Sequence, residues 1–315
     1  MSTTNLKMRI IGAANTLGCG KDGVQFGPKS IREALLINRL NKHNILIEDK
    51  GDIEAIYNTH ITDNDKLRNI IPITDFCNKL SGAVHTAYRD GFFPLVLGGD
   101  HSLGIGSVAG ASRAFGADNL CVVWIDAHTD INTQDTSPTG NIHGMSLASL
   151  LGYGCEQLTS ICGKEPKIKA KNVIYVASRD VDPGERQIIK ANGIAMFSAQ
   201  DIEQYGVEEI TYRIQSYINS LKATNIYLSI DIDVLDPHIA PGTGVPVPNG
   251  ITPEILYQFT DTIINTGKVK GVELVEVNPL LDTRSNTTAK LAVDIIDHIV
   301  GCIINRQKQY NNNIE

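Results

Sequence analysis

A series of short, continuously apolar runs, each closed by Gly, Asp, Asn or Pro, limits this chain to very few folds. They are Met8–Gly12, Ile45–Ile47, Phe93–Leu97, Leu120–Ile125, Val173–Ala177, Ala195–Phe197, Ile226–Ile230 and Val272–Val275. Successive strand residues point to opposite faces, so a strand that is apolar throughout must be covered on both sides. The sequence between the runs supplies the cover. Pro28 opens a helical pattern carrying Ile31, Ala34, Leu35 and Ile37, and Phe76, Leu80, Val84 and Ala87 stripe a second that stops at Gly91. Thr252-Pro253-Glu254 has the form of a helix start, and Leu291, Ile295, Ile299 and Ile303 mark a late helix. Strand and helix alternate, which predicts an α/β fold of three layers, α-β-α, around a mostly parallel sheet.

The chain has 315 residues and no linker-like stretch, so one domain is expected over 1–304. Residues 305–315, rich in Asn and Gln, are expected to form a mobile tail, because they bury too little surface to offset their ordering entropy. Apolar residues make up 42% and charged residues 20%, the balance of a globular protein with a large core. The net charge is −7 and the basic residues are scattered, which argues against nucleic acid or a membrane surface as partner. Six cysteines without a CxxC pair read as reduced thiols and point to the cytoplasm. The apolar stretch Met8–Ala14 is too short for a secretory signal, and none approaches the roughly 20 residues of a membrane span.

Three of the runs end in metal-ligand residues. Leu95–Leu97 leads into Gly98-Gly99-Asp100-His101-Ser102, Val122–Ile125 into Asp126-Ala127-His128-Thr129-Asp130, and Leu228–Ile230 into Asp231-Ile232-Asp233-Val234-Leu235-Asp236-Pro237. In extended chain, residues two apart share a face, so Asp126, His128 and Asp130 are expected to point together, as are Asp231 and Asp233. Open α/β sheets bind ligands beyond the carboxyl ends of their strands, where all three clusters fall. A lone Asp after a strand is ordinarily a turn or helix cap, and a lone His a hydrogen-bonded structural residue. Carboxylates packed this densely would repel one another without a cation. The candidate ligands are therefore His101, Asp126, His128, Asp130, Asp231 and Asp233. Oxygen-rich ligation with imidazole and no thiolate favours two Mn(II) ions over zinc, with Co, Ni or Fe as substitutes.

Taken together, Gly98–Ser102, Asp126–Asp130 and Ser229–Pro237 resemble the three signature motifs of the ureohydrolase family, in order and spacing closest to its arginase branch. The likeness runs from Gly27-Pro28 to Glu276-Val277-Asn278-Pro279. It implies an eight-stranded sheet in the order 2-1-3-8-7-4-5-6 and a homotrimer. It further implies that Asp126 and Asp231 bridge both metals, with His101 and Asp130 on one and His128 and Asp233 on the other. The implied reaction is hydrolysis of L-arginine to L-ornithine and urea by a metal-bridging hydroxide, with Asp130 carrying the proton to the leaving nitrogen. His143, in Gly140-Asn141-Ile142-His143-Gly144, matches the family's proton shuttle, and Glu276 would pair with the guanidinium. For these two the plainer alternatives are a loop residue and a structural salt bridge.

Substrate choice within the family must come from outside the metal ligands. By resemblance Asn132, Ser137 and Thr139 would contact the α-carboxylate with Asn141 close behind, while Asp182, and more distantly Glu185, would hold the α-ammonium. The same residues are ordinary loop formers and turn closers. Ser137 and Thr139 stand where arginases commonly carry Thr and Ser, and Val245 replaces a frequent Thr. The alternatives are agmatinase or another guanidino-compound ureohydrolase, a one-zinc deacetylase-like enzyme, and a catalytically silent relative. The complete six-ligand set and the presence of His143 argue against the last two.

Overall fold

The strands are β1 Lys7–Ala14, β2 Leu46–Glu54, β3 Phe93–Gly98, β4 Leu120–Ile125, β5 Val173–Val176, β6 Ala195–Phe197, β7 Asn225–Asp231 and β8 Val269–Val275. In the computed structural model, which describes residues 6–56 and 65–312, they form one eight-stranded sheet in the order β2-β1-β3-β8-β7-β4-β5-β6. Every pairing is parallel. The order is the one that the family resemblance implies, and it sets β3, β8, β7, β4 and β5 side by side with their carboxyl ends on one rim.

The double apolar cover is visible in the core. Leu95, Leu97, Val123, Ile125 and Leu228 pack on one face of the sheet, against helices that include Pro253–Asn265 and Thr287–Asn312. Val96, Val122, Trp124, Tyr175 and Tyr227 pack on the other, against Ile70–Arg89 and Leu103–Phe115. Alternation along each strand thus divides one apolar run between two cores.

The helix opened by Pro28 breaks at Leu35, which sits exposed in left-handed backbone at φ 70° and so carries no core face, and two boundaries also differ from the sequence expectation. Strand β2 extends through a polar segment to Glu54 because it is an edge strand with β1 as its neighbour and is largely open to solvent. Its acidic residues are held by arginines: Arg9 lies 2.6 Å from Glu48, and Arg32 lies 2.8 Å from Asp49. At the other end, the polar segment from Asn305 continues the last helix to Asn312, and the Arg306 side chain donates to the Asn265 carbonyl at 3.0 Å. Residues 313–315 of the expected tail lie outside the described residues. Among the described residues no helix is long and apolar enough to cross a membrane.

Candidate metal centre

The clusters meet at the rim, but not by sharing strand faces. The chain turns as soon as β4 ends, and Asp130 sits in left-handed backbone at φ 47°. The carboxylates themselves shape these turns. Asp126 Oδ1 accepts the His128 amide at 2.7 Å, and Asp231 Oδ1 accepts the Asp233 amide at 2.8 Å as β7 passes into the 3₁₀ turn Ile232–Val234. Turn-capping and ligand roles therefore coincide in the same side chains. The double glycine of the first motif serves close approach: a Cβ at Gly99 would fall 2.1 Å from the Asn15 carbonyl oxygen. A Cβ at Gly98 would fall 2.8 Å from the Val275 Cα, so that glycine lets the end of β8 come close, with the Glu276 amide donating to Gly99 O at 2.9 Å.

Around His101, Nδ1 lies 3.0 Å from Asp126 Oδ2 and 3.2 Å from both Asp130 Oδ2 and Asp231 Oδ2. Despite these distances Nδ1 is buried and forms no hydrogen bond with any of them. Nδ1 and the oxygens of Asp126 and Asp231 gather closely enough to hold an ion instead, while Asp130 Oδ2 stands beside Nδ1 without joining that group. Ligands about 2.1 Å from an octahedral ion are themselves about 3.0 Å apart, so these separations are those of a coordination shell. His128 Nδ1 lies 3.1 Å from Asp233 Oδ2 and 3.5 Å from Asp126 Oδ1. Two ligand groups result, His101–Asp126–Asp231 and Asp126–His128–Asp233, with Asp126 common to both.

The electrostatics also call for cations. Burial, reinforced by Asp233 and Asp126, drives the Asp231 carboxyl well above the usual range, and burial holds Asp233 at about 6 against the pull of His128. Burial would depress His101, but Asp126, Asp130 and Asp231 together lift it well above its ordinary value. Four carboxylates facing two imidazoles need more positive charge than these side chains can carry. The donor set and the convergent geometry fit two divalent ions.

His101 is aimed from behind. Its Nε2 meets Ser229 Oγ at 2.8 Å, Ser229 donates to Glu273 Oε1 at 2.7 Å, and its ring stacks on Trp124 at 3.9 Å. With the proton on Nε2, Nδ1 presents its lone pair to the centre. Glu273 is fully buried and also accepts from Tyr227 at 3.1 Å and from Ser107. On the other side the Arg179 guanidinium donates to the carbonyls of Asp233 at 2.7 Å, Val234 at 3.0 Å and Val247 at 2.9 Å, pinning the turn that carries Asp233. Sequence reasoning assigned no role to Glu273, Ser229, Trp124 or Arg179. A signal existed for Glu273, since a carboxylate within a strand covered on both faces must have partners.

Glu276, at φ 63°, accepts the His101 amide at 2.8 Å and lies 3.2 Å from His143 Nδ1, both through Oε1, while Oε2 is buried without a partner. The salt-bridge alternative therefore describes one oxygen and leaves the other available. Burial works against the His143 charge, but Glu276 overrides it and raises the imidazole to about 9.

The remaining candidates separate into two groups. Asn132 Nδ2 donates to Asp182 Oδ2 at 2.9 Å while its Oδ1 is buried and unpartnered, so these two are brought together. Ser137 Oγ accepts the Gly140 amide at 3.0 Å, Thr139 Oγ1 accepts the Asn141 amide at 3.2 Å, and Asn141 Nδ2 donates to Cys19 O at 3.1 Å, all bonds that shape the loop. Glu185, expected to stand more distantly from the α-ammonium than Asp182, supports the backbone beside it. It is buried, and its two oxygens accept the Asp182 amide at 2.9 Å and the Ile131 amide at 3.0 Å, an arrangement that anchors the helix Pro183–Asn192.

Comparison with known proteins gives one consistent result. A family model described as the arginase family matches residues 6–301. An arginase of Brevibacillus brevis is 40% identical over 297 residues, covering 94% of this chain and 98% of that protein. The crystal structure of arginase from Bacillus caldovelox superposes with a TM-score of 0.89 at 38% identity, covering 94% of this chain and 98% of that one. Entamoeba histolytica arginase in complex with L-ornithine gives a TM-score of 0.86 at 32% identity, covering 95% and 99%.

Proposed function

This chain belongs to the arginase family, and on that premise we propose that it hydrolyses L-arginine to L-ornithine and urea, with His101, Asp126, His128, Asp130, Asp231 and Asp233 holding two Mn(II) ions. The observation that carries this reading is the pair of ligand groups sharing Asp126, in which His101 Nδ1 sits among three carboxylate oxygens without a hydrogen bond. Oxygen-rich ligation without thiolate favours manganese. Two such ions supply Lewis acidity that makes hydroxide available near neutral pH, where free water with its pKa of about 15.7 does not.

The chain's own residues do the rest. Glu276 Oε2 is the acceptor for the guanidinium, whose planar fork suits a carboxylate; it is held still because Oε1 is tied to the His101 amide. A Cβ at Gly244 would lie 3.6 Å from that oxygen, so the glycine leaves the approach open. Asp130 moves a proton to the departing amine, which leaves only when protonated. His143, held on Glu276, restores that proton from solvent. At the far end of the substrate, Asp182 and Asn132 receive the α-ammonium and α-carboxylate, with Ser137, Thr139 and Asn141 completing the carboxylate cradle. Glu185 contributes by fixing the backbone of Asp182 and Ile131.

A homotrimer is the assembly that the family resemblance supports, and six free thiols support a cytoplasmic setting. The deciding experiment is urea release from L-arginine and from agmatine by the manganese-loaded protein. Preference for arginine is expected, and preference for agmatine, which lacks the carboxylate, overturns the proposal. Light scattering on the same sample tests the trimer.

A further inference from the structure

A second convergence of ligand atoms lies away from the carboxylate rim, between the last two long helices. His298 and Cys302 are one turn apart on Thr287–Asn312, so their side chains share a face, and that face meets Asp261 on Pro253–Asn265. His298 Nε2 is 2.7 Å from Asp261 Oδ1, Cys302 Sγ is 2.9 Å from the same oxygen, and Sγ is 3.6 Å from Nε2. The Tyr257 ring stacks on the imidazole at 4.2 Å and 22°, fixing the direction of Nε2. The histidine and aspartate side chains are 30% and 40% exposed, so the group is open to ions from solvent.

A thiol, an imidazole and a carboxylate also suggest a nucleophile with its base. Such a relay needs one ring nitrogen on the acid and the other on the thiol. Here the same nitrogen, Nε2, faces both, which is the arrangement of a chelate. For donors about 2.0–2.3 Å from a tetrahedral ion, neighbouring donors are roughly 3.3–3.7 Å apart. The sulfur–nitrogen edge of 3.6 Å already meets this. The two shorter edges both end on Asp261, whose side chain is 40% exposed, and would lengthen as the hydrogen bonds to its carboxylate give way to bonds with the ion.

We propose that Asp261, His298 and Cys302 form a further metal site that takes a borderline-soft divalent ion such as zinc through one nitrogen, one oxygen and one thiolate, clamping the two helices together. Thiolate in the donor set separates it from the oxygen-rich rim, which favours manganese. Binding replaces the thiol proton, released to solvent, by a sulfur–metal bond, and nothing is oxidised or reduced.

The two sites can be told apart by absorption. Cobalt(II) added to the reduced, manganese-loaded protein is expected to give a near-ultraviolet thiolate-to-cobalt charge-transfer band that zinc abolishes. The rim ligands contain no sulfur and cannot produce it. Cys302→Ser should remove the band, and His298→Ala should weaken it, while both variants keep wild-type urea release as proof of folding. Dialysed zinc-treated protein should retain zinc in the wild type and lose it in Cys302→Ser. Absence of the band in the wild type, or its persistence in Cys302→Ser through another of the free cysteines, overturns the proposal.

Discussion

The two halves of the metal centre use the same donor types in unequal settings. His101 is 1% exposed, stacked on Trp124 and aimed by the Ser229–Glu273 pair. The His128 side chain is 21% exposed, its Nε2 has no hydrogen-bond partner, and the Asp180 carboxylate is 4.0 Å away. A ligand held by packing and hydrogen bonds needs no ordering when an ion arrives, whereas a partly solvated ring must be ordered each time. Ligand identity alone therefore does not set affinity. The His101 half should hold its ion tightly and the His128 half should exchange.

Full metal removal is expected to have the largest effect, abolishing urea release until manganese is returned. With graded chelation the ions should leave in two steps, and the first should leave more readily from His128→Asn than from the wild type. Loss of both ions in a single step, followed by metal analysis, would erase the contrast between the halves. Next in size is Glu276→Gln, which keeps the hydrogen bond from His101 but weakens the charged acceptor. Activity, measured as kcat/KM, should fall roughly 10²–10³-fold with both ions retained; loss of metal would make Glu276 a structural support of the His101 half instead.

Glu273→Gln should act on the buried half alone. It removes the charge at the end of the Ser229 chain, and the tighter ion should bind about 10–100-fold more weakly while the weaker one is unchanged. Equal weakening of both ions would show that the support is shared.

The smallest effect is a pH dependence. His143 is raised from 6.5 to about 9 through Glu276, so in metal-free protein its contribution to stability is complete below pH 6.5 and lost as pH rises through 9. The drop in thermal midpoint between pH 6 and pH 10, as about two bracketing points of that window, should be smaller in His143→Asn than in the wild type. An unchanged drop would assign the dependence to the rim ligands.

Legibility in the sequence followed burial. Strands β3, β4, β5 and β7 could be read because both faces are apolar, while β2 was seen only at its start because an edge strand can afford polar residues. The six candidate ligands could be read from their density, but not the way five of them gather into two groups. That depends on carboxylates bonding to amides two residues ahead, a pattern that ordinary turns share. Glu273 and Ser229 were hidden inside runs that read as apolar, and Arg179 in the stretch that follows β5, because sequence spacing does not report which side chain stands behind another. The contacts of Glu185 were hidden in the same way: its hold on the Asp182 and Ile131 amides joins two segments that lie far apart in the sequence.

Ala177 and Glu276, each just past the end of a strand, and Asp130, in the turn after β4, adopt φ of 66°, 63° and 47°, a backbone region that glycine enters freely and most other residues seldom do. Two of the three are the carboxylates to which we assign proton transfer and guanidinium binding. Glycine at either carboxylate would ease the backbone, but at Glu276 it would also strip the His101 amide and His143 of their acceptor, and at Asp130 it would take away the carboxylate beside His101. Backbone ease and turnover thus pull in opposite directions at the same two positions, and any improvement programme that touches them must score both.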